Sequence, residues 1–322
     1  MAGNPIRNLV SQGMRAVPFQ LLASRCTPVL TYHATYCRLP ANVSPIDNVS
    51  PDSLYDHLSE MKRYYRFVTV DELLESRSLR GMAAVTFDDG YKSVIDEALP
   101  VFETLDIPFT IFLTLSSLQQ KTFWRHKAIY LMNHGLAGEC ARGFRRTRRL
   151  PNQNFLEYLK NPVNHSGVAE AEIDAFLDSR GISLDGCRHL IDREDFLIDH
   201  RLVWFGNHSY NHYVLSSLSR AEQFQEIQTV KTALANRNLK VSSVFASPFG
   251  EAHHVNRETF GILRDLGYKG LALNRGRLMT ERQSEHGLQI IERFSPAESD
   301  VSLQCKKYWL KGLLTTPSVM VQ

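Results

Sequence analysis

Two carboxylates stand side by side in the run Thr86-Phe87-Asp88-Asp89-Gly90, and two histidines recur four residues apart in His208-Ser209-Tyr210-Asn211-His212. Adjacent carboxylates in a tight turn do not both reach one small cation with good geometry. A division of labour is the sensible chemistry, with one carboxylate ligating and the other free to accept a proton. Taken alone, Asp-Asp-Gly is better explained as a turn. Histidines at i and i+4 share a face on a helical turn and can share a metal. The pair lacks the glutamate of H-E-x-x-H, which argues against a zincin protease. Two histidines and one aspartate leave positions open for water and substrate, the pattern of a catalytic rather than a structural site. A divalent ion held there would activate water and polarise a carbonyl.

Residues so far apart in the chain need a scaffold, and the pattern between them supplies one. Short apolar runs are each followed by a polar residue or turn and then by an amphipathic stretch. Val29 to Tyr32, Phe67 to Val70, Ala83 to Phe87, Pro108 to Leu113, Leu202 to Phe205, Val244 to Ala246, Leu271 to Leu273 and Gln289 to Ile291 are predicted strands. Helices are predicted after Ser50-Pro51, with Leu54, Leu58 and Met61 on one face, and along Val94, Ala98, Val101, Phe102 and Leu105. Ser219 with Glu222 makes a capping box before a helix carrying Phe224, Ile227, Val230 and Leu234. Asn256 caps a further helix that Gly267 ends. Alternation of this kind predicts an α/β barrel-like parallel sheet, with chemistry at the C-terminal ends of the strands. His33, Asp88, Asp89, His208, Pro248 and Arg293 all fall at such ends.

From about 116 to 199 the alternation stops. This segment holds Trp124, the basic residues Arg142, Arg145, Arg146, Arg148 and Arg149, and helical patches around Ile173, Phe176 and Leu177. It reads as a largely helical insertion over the barrel mouth. The arginines form a solvated charged face or, alternatively, meet an anionic group such as a sugar phosphate. Trp124 is expected in packing rather than as a platform for a sugar.

Composition limits the remaining possibilities. With 322 residues, 43% hydrophobic and 22% charged, the chain can bury a core without staples. A net charge of +3 gives no argument for nucleic acid. Five cysteines without a C-x-x-C pair favour a reducing compartment, and no apolar run approaches a membrane span. Residues 1–27 place Ile6, Leu9, Val10, Met14 and Val17 at helical spacing beside Arg7 and Arg15, with no acid before Asp47. A helix packed on the barrel is the first reading of that segment, and a peripheral membrane contact the second. The expected location is cytoplasmic.

Taken together, Thr86-Phe87-Asp88-Asp89-Gly90, His208-Ser209-x-x-His212 and Ser247-Pro248-Phe249-Gly250, with Val29-Leu30-Thr31-Tyr32-His33 and the Ser50-Pro51 helix, resemble the polysaccharide deacetylase (NodB-homology) family, carbohydrate esterase family 4. The resemblance runs from about Pro28 to Phe294 outside the insertion. It implies a distorted (β/α)7-type barrel over 28–322 and metal-dependent removal of acetyl groups from sugars. It further implies Asp88 as base, Asp89, His208 and His212 as ligands of one divalent ion, and the Phe249 N–H beside Pro248 as an oxyanion donor. Zinc is the expected metal, with cobalt, nickel or manganese as alternatives. Three positions depart from the family pattern. Ala246 stands where many members carry an arginine, no aspartate-tryptophan pair occurs near Leu273-Asn274-Arg275, and no histidine occurs near Ile290 or Ile291. Arg293 is the candidate to orient Asp88 instead, and His33 the candidate general acid, with His253 and His254 in a loop expected to be mobile. The leading function is deacetylation of an N-acetylated sugar. Hydrolysis of a non-sugar amide and a degenerate sugar-binding module are the alternatives.

Overall fold

The computed structural model describes residues 18–144, 154–298 and 300–314. Among these the strands are β1 (Val29–Tyr32), β2 (Arg66–Phe67), β3 (Met82–Phe87), β4 (Phe109–Leu113), β5 (Val203–Asn207), β6 (Val241–Ala246), β7 (Gly270–Leu273), β8 (Gln283–Glu285) and β9 (Leu288–Glu292). They form one sheet in the order β1-β3-β4-β5-β6-β7-β9-β8, with β2 beside β3. Every pairing is parallel except β8 with β9. A parallel bridge from Leu30 to Phe294 brings the chain beyond β9 back against β1. The curled sheet with helices outside it is the distorted (β/α) barrel expected from the sequence.

Register places the chemistry. Tyr32 pairs with Phe87, Leu113 with Asn207, Ala246 with Ala272 and Leu273 with Glu292. The residues that follow these pairs (His33, Asp88, Thr114, His208, Ser247, Asn274 and Arg293) therefore leave the sheet at one rim. Most residues of the parallel strands are buried, as strands covered on both faces require. Phe87, Phe102 and Phe109 pack with ring centroids 5.7, 5.7 and 4.1 Å apart. Each such side chain contributes roughly 1.5–3 kcal/mol by leaving water.

Helix starts follow the caps. Ser50 accepts from the Ser53 N–H ahead of helix Pro51–Lys62. Ser219 and Glu222 close a capping box ahead of Arg220–Ala235, and Asn256 with Thr259 does so ahead of Arg257–Asp265. Four expectations change. Of the predicted strand Phe67 to Val70 only Phe67 is in a strand, Arg66–Phe67, because Thr69 and Glu72 form a capping box that draws Val70 into helix Val70–Glu75. The stripe from Val94 to Leu105 opens with a wide π-type turn over Val94–Ala98 before helix Leu99–Leu105. Pro100 has no N–H to donate back along the helix, which accounts for the interruption. Phe224, placed on the buried stripe, is 38% exposed. Strand β8 was not anticipated. It forms a hairpin with β9 through His286 and Gly287, both at positive φ, the two-residue turn that suits a twisted ladder.

Between β4 and β5 lie helices Trp124–Asn133, Ala137–Gly143, Phe155–Lys160 and Ser166–Ser179, so the inserted segment is largely helical. Arg142 is in the second of these, whereas Arg145, Arg146, Arg148 and Arg149 lie outside the described residues. So does most of the segment 1–27, whose described part, 18–27, contains helix Phe19–Ala23. Among the described residues no helix is long and apolar enough to cross a membrane.

Candidate active site and metal centre

Asp88 leaves β3 with its N–H still donating to the Tyr32 carbonyl, 2.9 Å away. Asp89 then takes φ +69° and Gly90 φ +83°. Aspartate tolerates the left-handed region better than most residues, and the reversal leaves Asp89 Oδ1 within 3.5 Å of both histidine Nε2 atoms while Asp88 Oδ2 stands 3.8 Å from His208. A Cβ on Gly90 would come within 2.7 Å of Leu113, so glycine is needed on two counts.

Asp88 meets Arg293. The guanidinium donates to both carboxylate oxygens at 2.7 and 2.8 Å and to Thr86 Oγ1 at 3.1 Å. Arg293 is fully buried, and its charge lies 5.5 Å from the Phe112 ring centroid. Burial works most strongly against the charge on Asp88, but Arg293, His208 and His33 outweigh it and hold its carboxyl below the usual range. Asp88 is thus a carboxylate at neutral pH, in a fixed bidentate pair. Arg293 reaches it from the end of β9, and Ala246, at the end of β6, is a buried methyl.

Asp89 turns toward the histidines. Its Oδ1 lies 3.2 Å from His212 Nε2 and 3.5 Å from His208 Nε2. Ligand atoms around a tetrahedral ion at 2.0–2.1 Å stand about 3.3 Å apart. Among the described residues these three are the group of side chains whose atoms converge in this way, all within 4.8 Å of one another and all buried. Asp89 Oδ1 is buried without a hydrogen bond. His208 Nδ1 sits 2.9 Å from the Ala246 carbonyl, which fixes the proton there and leaves Nε2 as a lone pair toward the centre. Burial pushes His212 down to about 4 despite the pull of Asp89, so it is neutral and able to ligate. His212 and His208, with Arg125, hold Asp89 well below the usual carboxylate range even though burial, the largest single influence, opposes its charge. The residues fit a divalent ion.

The histidines do not sit on a helical turn, which corrects the expectation from their spacing. Ser209 and His212 have φ of +64° and +60°. The loop is built by side chains instead. Asn207 accepts from the Ser209 N–H at 2.9 Å, Ser209 Oγ from the His212 N–H at 2.9 Å, and Glu226 from the Asn211 N–H at 2.7 Å. Local polar side chains of this type compete with helix formation. Trp124 is 5% exposed and donates its indole N–H to the His212 carbonyl at 3.1 Å, so it is packing that also braces a ligand.

A cleft of about 600 Å³ opens onto this group. His33, Asp88, His208, His212 and Phe249 line it, together with Asn274 and Ser295. Phe249 has φ +63°, and its ring centroid lies 4.6 Å from that of His212. Pro248 is buried behind that turn and is not on the cleft wall. His253 and His254 also line the cleft, on a short 3-10 turn rather than a loose loop. His254 is buried, and its Nδ1 accepts from the Glu251 N–H at 3.2 Å.

Sequence reasoning missed Arg125 and Asp47. Arg125, from helix Trp124–Asn133, donates to Asp89 Oδ2 at 3.1 Å and to Asp47 Oδ2 at 2.9 Å. Neither residue belongs to a recognisable motif, and only the tertiary fold brings them together. Glu157, Lys160, Asn161 and Pro162 of the inserted segment form part of the cleft wall as well.

A profile of the polysaccharide deacetylase family matches residues 76–139 and 198–271, the two segments that hold Asp88, Asp89, His208 and His212. Over these two segments the chain is similar to the polysaccharide deacetylase family. Its fold is similar to that of the deacetylase PplD of Streptococcus pyogenes, solved with acetate, at TM-score 0.52 and 18% identity over 88% of this chain and 97% of that one. A putative polysaccharide deacetylase of Bacillus anthracis gives TM-score 0.54 and 13% identity over 88% and 69%. A de-N-acetylase of Aggregatibacter actinomycetemcomitans gives 0.51 and 12% over 87% and 99%. No curated protein matches the chain in sequence.

Proposed function

We propose that this protein is a metal-dependent hydrolase that removes the N-acetyl group of an acetylated sugar. The observation that carries this reading is the Asp88–Arg293 ion pair, set beside Asp89, His208 and His212 in one cleft. When bound, a divalent ion, zinc first among the candidates, supplies Lewis acidity at the scissile carbonyl. Asp89, His208 and His212 would hold it. Asp88, kept ionised and fixed by Arg293, accepts the proton of the attacking water. The Phe249 N–H donates to the oxyanion as the carbonyl carbon becomes tetrahedral, an interaction worth roughly 3–4 kcal/mol. His33, partly exposed on the cleft wall, donates a proton to the leaving amine as the C–N bond breaks.

Support for a sugar comes from the family and from a cleft whose size suits one or a few sugar rings. Lys160 on its wall gives a cation for an anionic substituent such as a phosphate. The five cysteines are free, in keeping with the proposed cytoplasmic setting. A degenerate binding module has no use for a buried carboxylate locked by a buried arginine. The test is acetate release from nucleotide-linked sugars, lipid-linked sugars and chitooligosaccharides, before and after chelation. Turnover that chelator abolishes and zinc restores supports the reading. Turnover of none of them, with turnover of a non-sugar acetamide, would replace the sugar in it.

A further inference from the structure

We infer that Arg125 is a positioning residue for the metal centre, holding the Asp89 carboxylate so that one oxygen alone faces His208 and His212. This rests on the metal-dependent reading above. Asp89 has two oxygens and a buried environment, so both must be accounted for. Oδ1 faces the two Nε2 atoms and has no hydrogen bond, while Oδ2 is taken by Arg125 Nη1. The guanidinium is itself fixed. Its other arm, Nη2, is bound to Asp47, and its carbon lies 6.0 Å from the Phe123 ring centroid and 5.9 Å from that of Phe249. With the planar fork anchored at one end, the carboxylate at the other end cannot rotate freely about its own axis.

The three residues come from three places. Asp89 follows β3, Asp47 ends the 3-10 turn Pro45–Asp47 after β1, and Arg125 lies in the first turn of helix Trp124–Asn133 in the inserted segment. The inserted segment is therefore tied to the metal centre, and not only to the mouth of the cleft. Charge alone does not explain the arrangement, because a cation beside the site opposes binding of a second cation. What Arg125 provides is geometry: Asp89 is limited to a single ligating oxygen, and coordination positions stay free for water and substrate. Partners that orient a metal ligand change metal affinity by about 10–100-fold when removed.

Charge and geometry lead to opposite expectations, which a set of variants separates. Zinc affinity is measured by competition with a chromophoric chelator for the wild-type chain and for Arg125→Lys, Arg125→Met and Asp47→Asn. Melting of each metal-free variant confirms that it folds. Arg125→Lys keeps the charge and loses the fork, so it is the variant that distinguishes geometry from charge. The expected result is an affinity at least 10-fold weaker for Arg125→Lys and Arg125→Met, with a smaller loss for Asp47→Asn. Visible spectra of the cobalt-loaded proteins should shift in the same variants. Wild-type affinity in Arg125→Lys, or tighter binding in Arg125→Met, overturns the proposal. A wild-type chain that binds no zinc contradicts the metal reading instead, so the two failures are distinguishable.

Discussion

A carboxylate that must take a proton at neutral pH has to be ionised, held still and kept off the metal. Asp88 meets the first two conditions through Arg293 and the third through the left-handed turn at Asp89. Asp88→Asn should lower turnover by about 10²–10⁴-fold while zinc still binds one to one. Arg293→Met should act differently. It strands Asp88 as a buried unpaired charge, at a cost of about 3–5 kcal/mol seen as a lower melting temperature, and it should reduce turnover as well. A variant with unchanged melting and unchanged rate would remove Arg293 from the site. The aspartates and histidines were legible because each lies in a short segment at a strand end. Arg125 and Asp47 were not, since a side chain that reaches across the fold leaves no local pattern.

At the level of elements, the site depends on strands that deliver their ends at a common height. Gly206 in β5 shows how tight this is, for a Cβ there would come within 2.4 Å of the Phe112 ring. That ring in turn lies under Arg293. Gly206→Ala should therefore destabilise the fold by about 1–3 kcal/mol, read as a lower denaturation midpoint, and displace the residue that holds Asp88. Midpoint and activity both at wild-type values would contradict this coupling. Most of the parallel strands and the capped helices could be read in advance, because a buried run and a serine or asparagine cap are local signals. The hairpin at β8, the interrupted helix after Val94 and the loop from His208 to His212 were not. Each is decided by turn geometry or by side chains that bond to backbone nearby.

Over the whole molecule, several buried imidazoles set the response to acid. Burial pushes His126 and His254 down to about 3, below the ordinary value of 6.5. From pH 6.5 toward 3 the unfolded chain takes up these protons and the folded chain does not. Stability must therefore fall as pH falls through that window, by about 1.4 kcal/mol per pH unit for each such histidine. The folded His126 contacts Tyr91 at 3.0 Å through Nε2 and His254 the Glu251 N–H through Nδ1, and neither is among the three converging side chains Asp89, His208 and His212. Melting temperatures of wild type and His126→Gln between pH 7.5 and 4.5 should converge as pH drops. Parallel curves would show that His126 does not contribute.

The central claim joins a metal triad to a separate base, and one measurement separates them. Chelated wild type and Asp88→Asn are each reconstituted with zinc, their metal content is determined, and acetate release is followed from an N-acetylated chitooligosaccharide, a nucleotide-linked sugar and a lipid-linked sugar. Equal zinc content, with turnover restored only in the wild type, is the predicted result. Restored turnover in Asp88→Asn at the wild-type rate would contradict it.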